Sequence, residues 1–321
     1  MRILLTGSSG WLGRFLAPRL RAAGHQVVGL DIAAGADTES VGSVADRDLI
    51  DRLFAAHRFD AVIHSAALHK PDIVRYPRQA FIDVNVSGTL NLLEAAVTAG
   101  CSRFVFTSTT SLMISTAIRE ARGEAAAWID ESLAPLEPRN VYGVTKLAAE
   151  QLCRLIHAEH ALPVVVLRTG RFFPEDDDTH REPTGENLKA NELLHRRLTV
   201  EDAAEAHLIA LDRAPAIGFG TYILSAPTPF AEEDAAELKA DAPAVIARYF
   251  PDAPALFLAR GWTLPKSIDR VYDASAAERD LGFRCTSGFA DVLAALREDR
   301  ALPFAHDPDY TSPALSVRTN S

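Results

Sequence analysis

The chain has 321 residues, three cysteines and a formal charge of −10. That length allows a large α/β body with a smaller lobe and a core that needs neither disulfides nor metals. The acidic balance excludes a broad basic face for nucleic acid or anionic lipid and leaves room only for a local cationic pocket.

Cys101, Cys153 and Cys285 are far apart and form no CxxC pair. Neither a disulfide framework nor a metal site is expected, and the expected setting is a reducing cytoplasm. No run of about 18 apolar residues is present, so no membrane span is expected. The opening MRILLTGSSGWLG reads as a strand and a turn, not as a signal peptide.

Short apolar runs bounded by turn residues occur at 2–6, 26–30, 61–64, 103–107 and 163–168. Such runs suit parallel strands covered on both faces. Amphipathic helical spacing covers 11–23, 78–99 and 143–160. The alternation predicts an α/β fold with a doubly wound parallel (Rossmann) sheet. After Arg168 the pattern breaks: 173–190 is polar and loop-like. LTVEDAAEAHLIALD then reads as a helix, and GTYILS as another strand. Helical stretches divided by proline and glycine fill 227–297. The predicted division is a dinucleotide domain over 1–170, rejoined by about 198–225. A smaller substrate lobe takes 171–197 and 226–303, and 304–321 is a loose tail.

Thr6-Gly7-Ser8-Ser9-Gly10-Trp11-Leu12-Gly13 lies directly between the first strand and the first helix. Gly7 permits a tight turn, Gly10 lets the backbone approach a pyrophosphate, and Gly13 lets helix and strand pack closely; the helix end favours the negative charge. Ser9, Trp11 and Leu12 share that turn. Asp31 ends the second strand, where an acid accepts from both ribose hydroxyls of an adenosine. No arginine follows it in DIAAG, so NAD is expected rather than NADP.

Tyr142 and Lys146 open the helix at 143–160 and, four apart, share one face. A free phenol, with a pKa of about 10, is a poor base at neutral pH. A nearby ammonium is expected to lower it, so that Tyr142 takes a proton from a substrate hydroxyl.

TGSSGWLG, AVIHSAALHK, VNVSGTLNLLEAA, RFVFTSTTS, YGVTKLAAE, VVVLRTG, RRLTVEDAAEAHLIAL and VYDASAAERDLGF follow one another in order to about residue 297. This set resembles the extended short-chain dehydrogenases/reductases, the NAD-dependent epimerase/dehydratase family. The resemblance implies a catalytic Thr109 beside Tyr142 and Lys146, with Ser108 or Thr110 as alternatives for the same role. It implies cofactor contacts at Ile32, Ser43, Val44, Ser65, Ala66, Ala67, His69 and Thr107, as well as at Tyr142 and Lys146 themselves. Asn85 would hold a helix against the active-site strands, and the backbone at Thr169 and Gly170 would face the nicotinamide amide. It also implies a homodimer built on the 78–99 and 142–160 helices.

Three departures from the family pattern shape the expected function. Thr110 and Ser111 stand where the family's dehydratases carry Asp and Glu, which argues against elimination of water. Arg171 stands near the position of an asparagine common in the epimerases. Ser43 stands where an aspartate usually meets adenine. LRTGRFFPEDDD is locally similar to the uronate dehydrogenases. His69, Lys70, Thr110 and Arg171 are the candidate substrate contacts for a small molecule, a sugar or sugar derivative. Arg196 and Arg197 would either join Arg171 in a carboxylate or phosphate pocket or lie exposed at the surface.

The expected activity is NAD-dependent hydride transfer at a hydroxyl-bearing carbon, leaning to a net sugar or sugar-acid dehydrogenase. The alternatives are a nucleotide-sugar epimerase that keeps its cofactor and, in another class, a non-catalytic NAD-binding regulator. His157 with His160 lacks a third ligand, the Asp176–Asp178 run lacks calcium-loop spacing, and no GxSxG suggests a hydrolase.

Overall fold

The computed structural model describes residues 1–176 and 185–312. Its main sheet comprises β1 (Arg2–Thr6), β2 (Gln26–Asp31), β3 (Ser40–Val41), β4 (Ala61–His64), β5 (Arg103–Thr109), then, past a short strand β6 (Ala127–Ile129) that lies outside it, β7 (Val164–Thr169) and β8 (Phe219–Leu224). The order is β3-β2-β1-β4-β5-β7-β8, and every neighbouring pair is parallel. All carboxyl ends therefore lie along one edge. The chain reverses direction across the sheet between β1 and β4, the place where such sheets open a ligand crevice.

Period-two alternation explains why the strands read as unbroken apolar runs. Ile3 and Leu5 face one layer, with Leu4 turned to the other. On the first face pack α1 (Trp11–Ala22) and, from later in the chain, the helix Val200–Ile217, through Leu16, Leu20, Ala206 and Ala210. On the second face lie α2 (Arg47–Ala56), α3 (Arg78–Phe81) with α4 (Gly88–Thr98) and, beyond the short α5 (Thr116–Arg119), the long α6 (Val141–His160). Ile50, Leu92, Leu93 and Cys153 meet Leu4, Val62, Phe104 and Phe106 there. Each such large apolar side chain contributes roughly 1.5–3 kcal/mol on burial.

The smaller lobe has its own core. It is made by α7 (Gly185–Glu192) and, after α8 (the Val200–Ile217 helix), by α9 (Ala235–Tyr249), α10 (Ala253–Ala259) and α11 (Phe289–Glu298), around Leu193, Leu238, Val245, Phe257 and Phe289. A two-stranded parallel sheet of β6 and β9 (Arg270–Tyr272) lies against it. Among the described residues no helix is long and apolar enough to cross a membrane.

Several elements differ from expectation. The helix expected over 78–99 is interrupted by a π turn, Ile82–Ser87. That turn carries the buried Asn85, whose amide is claimed by backbone outside the helix. Residues 185–190, expected as loop, belong to α7, whose polar Asn187, Lys189 and Glu192 are buried with partners instead of facing water. β3, β6 and β9 are too short for a periodic signal. The tail expected to be loose from 304 is held up to Tyr310. Phe304 packs in the lobe core, and the Asp307 amide donates to the Pro174 carbonyl at 2.9 Å. Asp177 and Asp178 of the acidic run lie outside the described residues.

Candidate active site

The glycine turn sits at the crevice. Gly7 adopts a left-handed φ of +76° and donates to the Leu30 carbonyl at 2.8 Å. A Cβ on Gly13 would lie 2.2 Å from the Gly7 carbonyl oxygen, so only glycine lets α1 approach this closely. Gly10 precedes Trp11 and Leu12 without a side-chain cap, so the N-terminal amides of α1 are left for an anion.

Asp31 is fixed at the end of β2. Its two oxygens accept from the Ser9 amide at 3.0 Å and the Ala33 amide at 3.1 Å. Its remaining lone pairs can still take ribose hydroxyls. The Ser9 hydroxyl is used internally, donating to the Ala33 carbonyl at 2.8 Å. A bare helix end, a glycine cradle and a fixed acid beside Ile32 fit a dinucleotide.

Other expected contacts are turned inward. The Ser65 hydroxyl donates to the Thr6 carbonyl at 2.6 Å. Val44 packs in the core, where a Cβ on Gly88 would lie 2.6 Å from its Cγ2. The Ser43 hydroxyl accepts from the Ala45 amide at 3.1 Å at the entrance to α2. The Gly170 amide donates to the Leu224 carbonyl at 2.7 Å, and the Thr169 carbonyl accepts from the Thr110 hydroxyl at 3.3 Å. Thr110, a candidate substrate contact, therefore directs its hydroxyl back into the sheet.

Beneath the crevice lies a buried polar chain that the sequence reading missed. The Ala66 amide donates to the Thr6 hydroxyl, which donates to His64 Nδ1 at 2.8 Å. His64 Nε2 donates to the Thr89 hydroxyl at 3.0 Å, and Thr89 donates to the Asn85 carbonyl at 2.7 Å. One tautomer satisfies the whole chain. Burial, with Lys146 nearby, keeps His64 neutral, its pKa well below the usual histidine value. The Asn85 side chain accepts from the Leu68 amide at 2.8 Å and donates to the Thr145 hydroxyl at 3.1 Å. It thus ties the Ala66–Leu68 loop to α6, the helix that bears Tyr142. The one signal in the sequence was a histidine ending an otherwise apolar strand.

At the carboxyl end of β5 three neighbouring hydroxyls have three destinations. Ser108 donates to Glu150 Oε1 at 2.5 Å, Thr110 turns to Thr169, and the Thr109 hydroxyl accepts from the Ser111 amide at 3.1 Å and lies beside Tyr142. Of the three alternatives, Thr109 is the one that faces the phenol. Tyr142 and Lys146 are both buried on one face of α6, whose N-cap Asn140 accepts from the Gly143 amide at 2.9 Å. His69 stands edge-on to Tyr142 with ring centroids 6.1 Å apart and 5.6 Å from Phe173. Lys70 begins a short helical turn beyond it.

The electrostatics differ from expectation. Burial pushes the Tyr142 phenol up to about 12, against the hydrogen bond from Thr109, which pulls it down. Burial also holds Lys146 down to about 7, with Glu150 opposing. The ammonium donates to the Thr107 carbonyl at 2.6 Å and lies 4.0 Å from the Phe106 ring centroid. In this state it stabilises the β5 backbone and leaves the phenol protonated.

The Thr107 hydroxyl donates to His207 Nε2 at 2.8 Å, while His207 Nδ1 donates to the Ala203 carbonyl at 2.7 Å. Burial lowers His207 to about 4 and keeps it neutral. Behind Lys146, Glu150 forms a two-pronged buried pair with Arg168, at 3.0 and 2.7 Å. Glu150, four residues beyond Lys146, lies on the same helix face, a spacing legible in the sequence.

Past β7, Arg171 lies 3.4 Å from Glu192, and Arg196 and Arg197 each approach that carboxylate to 2.9 Å. The surface alternative for Arg196 and Arg197 fails: both are buried. Burial would push the Glu192 carboxyl up, but Arg196, Arg171 and Arg197 together hold it down to about 2. Arg171 keeps a third of its side chain exposed at the carboxyl end of β7.

Fold and site together define a dinucleotide-binding protein with a tyrosine–lysine pair beside its crevice. The chain belongs to the NAD dependent epimerase/dehydratase family, whose sequence pattern matches residues 3–220. It thus falls within the extended short-chain dehydrogenase/reductase superfamily, and its cofactor is NAD.

It is 30% identical over 185 residues to UDP-glucose 4-epimerase 4 of Oryza sativa subsp. japonica, covering 52% of this chain and 48% of that one. It is 29% identical over 248 residues to UDP-glucose 4-epimerase of Streptomyces lividans, covering 67% and 72%. The chain spans about half the length of the first of these relatives. A short-chain dehydrogenase/reductase superfamily protein from Agrobacterium tumefaciens, solved with bound NAD, superposes with a TM-score of 0.63 at 23% identity, covering 93% and 98%, and shares the fold.

Proposed function

We propose that the chain is an NAD-dependent epimerase that inverts a hydroxyl-bearing carbon of a sugar nucleotide. The observation that carries this reading is the placement of Tyr142 and Lys146 on one buried face of α6 at the crevice, with Thr109 beside the phenol. NAD supplies a hydride acceptor that can return the hydride to either face. Thr109 orients the substrate hydroxyl, and Tyr142, as the phenolate, takes that hydroxyl's proton as the hydride leaves the carbon and gives it back when the hydride returns. Lys146 adds positive charge as the phenolate forms.

The lean to a net dehydrogenase is set aside. It rested on the departures at Thr110, Ser111, Arg171 and Ser43 and on local likeness near Arg171, whereas the relatives matched over longer stretches are named as epimerases. Thr110 and Ser111 supply no acid–base pair for dehydration. Arg171 is the first choice for an anionic group on the substrate. A homodimer through α4 and α6 accords with the exposed apolar side chains Ile82, Val144 and Leu155 on that side.

The test is incubation of the NAD-loaded protein with UDP-sugars, free sugars and uronic acids. Proton NMR follows the stereocentres and absorbance follows NADH. An altered stereocentre without NADH accumulation supports the proposal. Steady NADH formation overturns it in favour of a net dehydrogenase.

A further inference from the structure

The last described residues of the chain turn back over the glycine turn. Leu302 and Phe304 pack against the lobe core. Beyond them the Asp307 amide donates to the Pro174 carbonyl at 2.9 Å. Lys189, buried in α7, donates to that same carbonyl and to His306 Nδ1 at 2.8 Å. The strand of chain from 305 to 310 is thus fastened at its base to the loop that leaves β7.

Its tip reaches the first turn of α1. Tyr310 sets its ring edge-on against Trp11 with centroids 5.2 Å apart. The Arg14 guanidinium lies 5.3 Å from the Trp11 ring and 5.4 Å from the Tyr310 ring. Trp11 is itself tied down, donating through Nε1 to the Phe172 carbonyl at 3.1 Å. The Tyr310 phenol is raised by burial, eased by Arg14, and feels the charge of Asp31. The tip therefore lies against the first turn of α1, whose uncapped end fits a dinucleotide's pyrophosphate.

We propose that residues 302–310 form a strap that slows release of NAD, with Tyr310 and Arg14 as the positioning residues at its tip and Lys189 as the fastening at its base. The inference rests on cofactor binding at the glycine turn and is independent of which substrate is turned over. With the strap seated, the first turn of α1 at Trp11 is covered, and NAD leaves only after Tyr310 separates from Trp11 and Arg14. Ring–ring and cation–ring contacts of this kind are weak enough to open often and strong enough to change a rate. Because the base is bolted to α7 and the β7 loop, any shift of the substrate lobe is transmitted to the strap.

The test uses the full chain loaded with NADH, chased with excess NAD, with release followed by the fluorescence of bound NADH in a stopped-flow instrument. Tyr310→Ala and Lys189→Met are each expected to release NADH about tenfold faster than the parent. Tyr310→Phe, which keeps the ring, is expected to stay near the parent rate. Circular dichroism confirms that each variant is folded. Release rates within about twofold of the parent in both Tyr310→Ala and Lys189→Met would overturn the strap. A parent that binds no NADH would overturn the strap and the cofactor site together.

Discussion

The Lys146 ammonium donates to the Thr107 carbonyl at 2.6 Å, so the group that is to assist Tyr142 is held by the strand next to it. Burial keeps its pKa near 7, whereas an unfolded chain returns it to about 10.4. Between these values the unfolded state binds more protons, so the Lys146 contribution makes the fold more stable as pH rises from about 7 to about 10.4. Below about pH 7 the full cost of the buried charge is present. Lys146→Met removes that cost. Its thermal midpoint relative to the parent is expected to be most favourable near pH 6 and to lose the advantage by about pH 10, a change on the order of a few kcal/mol. Paired thermal melts across this range check it; a difference that stays flat would show that Lys146 is not held near neutrality.

Tyr142→Phe keeps the ring against His69 and removes the proton. Turnover is expected to fall by roughly 10²–10⁴-fold, with NAD affinity unchanged within about twofold, because the glycine turn and Asp31 are untouched. Parallel measurement of turnover and NAD titration decides the matter. Unchanged turnover would remove Tyr142 from the chemistry.

Most of the sheet was legible because both faces of each long strand are covered, which leaves runs such as AVIH and RFVFT almost without polar residues. The glycine turn and Asp31 were legible because their order along the chain is itself the geometry of the site. The fate of polar side chains was not. Ser65 and Thr110 were expected to face ligand, yet their hydroxyls donate to the Thr6 and Thr169 carbonyls of the sheet. Arg196 and Arg197 had an exposed alternative because arginine is rarely buried unpaired. Their partner, Glu192, lies in a stretch whose polarity concealed a helix. Tyr142 was expected to be acidified by Lys146, but a spacing of four sets only the helix face, not the direction of the ammonium, which the Thr107 carbonyl captures.

Gly13→Ala tests the cradle. The added methyl would sit 2.2 Å from the Gly7 carbonyl oxygen and 2.7 Å from the Ser8 backbone, neither of which is a flexible side-chain end. α1 must move away from β1 to admit it. The expected cost is about 1–3 kcal/mol of stability, together with at least a tenfold loss of NAD affinity as the helix end leaves the pyrophosphate position. Denaturant unfolding and NAD titration on the same preparation separate the two effects. Full NAD affinity in a destabilised variant would place the pyrophosphate elsewhere.

Glu192→Gln tests the hub of the arginine cluster. The carboxylate accepts from Arg197 at 2.9 Å, pairs with Arg196 at 2.9 Å and lies 3.4 Å from Arg171, and all of its charge is buried. Glutamine keeps the shape but leaves those guanidinium groups without their anion, and breaking a buried pair in this way costs about 3–5 kcal/mol. The parent carboxyl is held down to about 2, below the value of about 4.3 that an unfolded glutamate has. Its contribution is thus fully present above about pH 4.3 and is lost as pH falls through about 2. The stability gap between parent and variant should therefore be constant from neutral pH down to about 4.3 and shrink below it. Urea titrations at several pH values measure the gap. A gap under about 1 kcal/mol at neutral pH would mean that the arginines find other anions when Glu192 is neutralised.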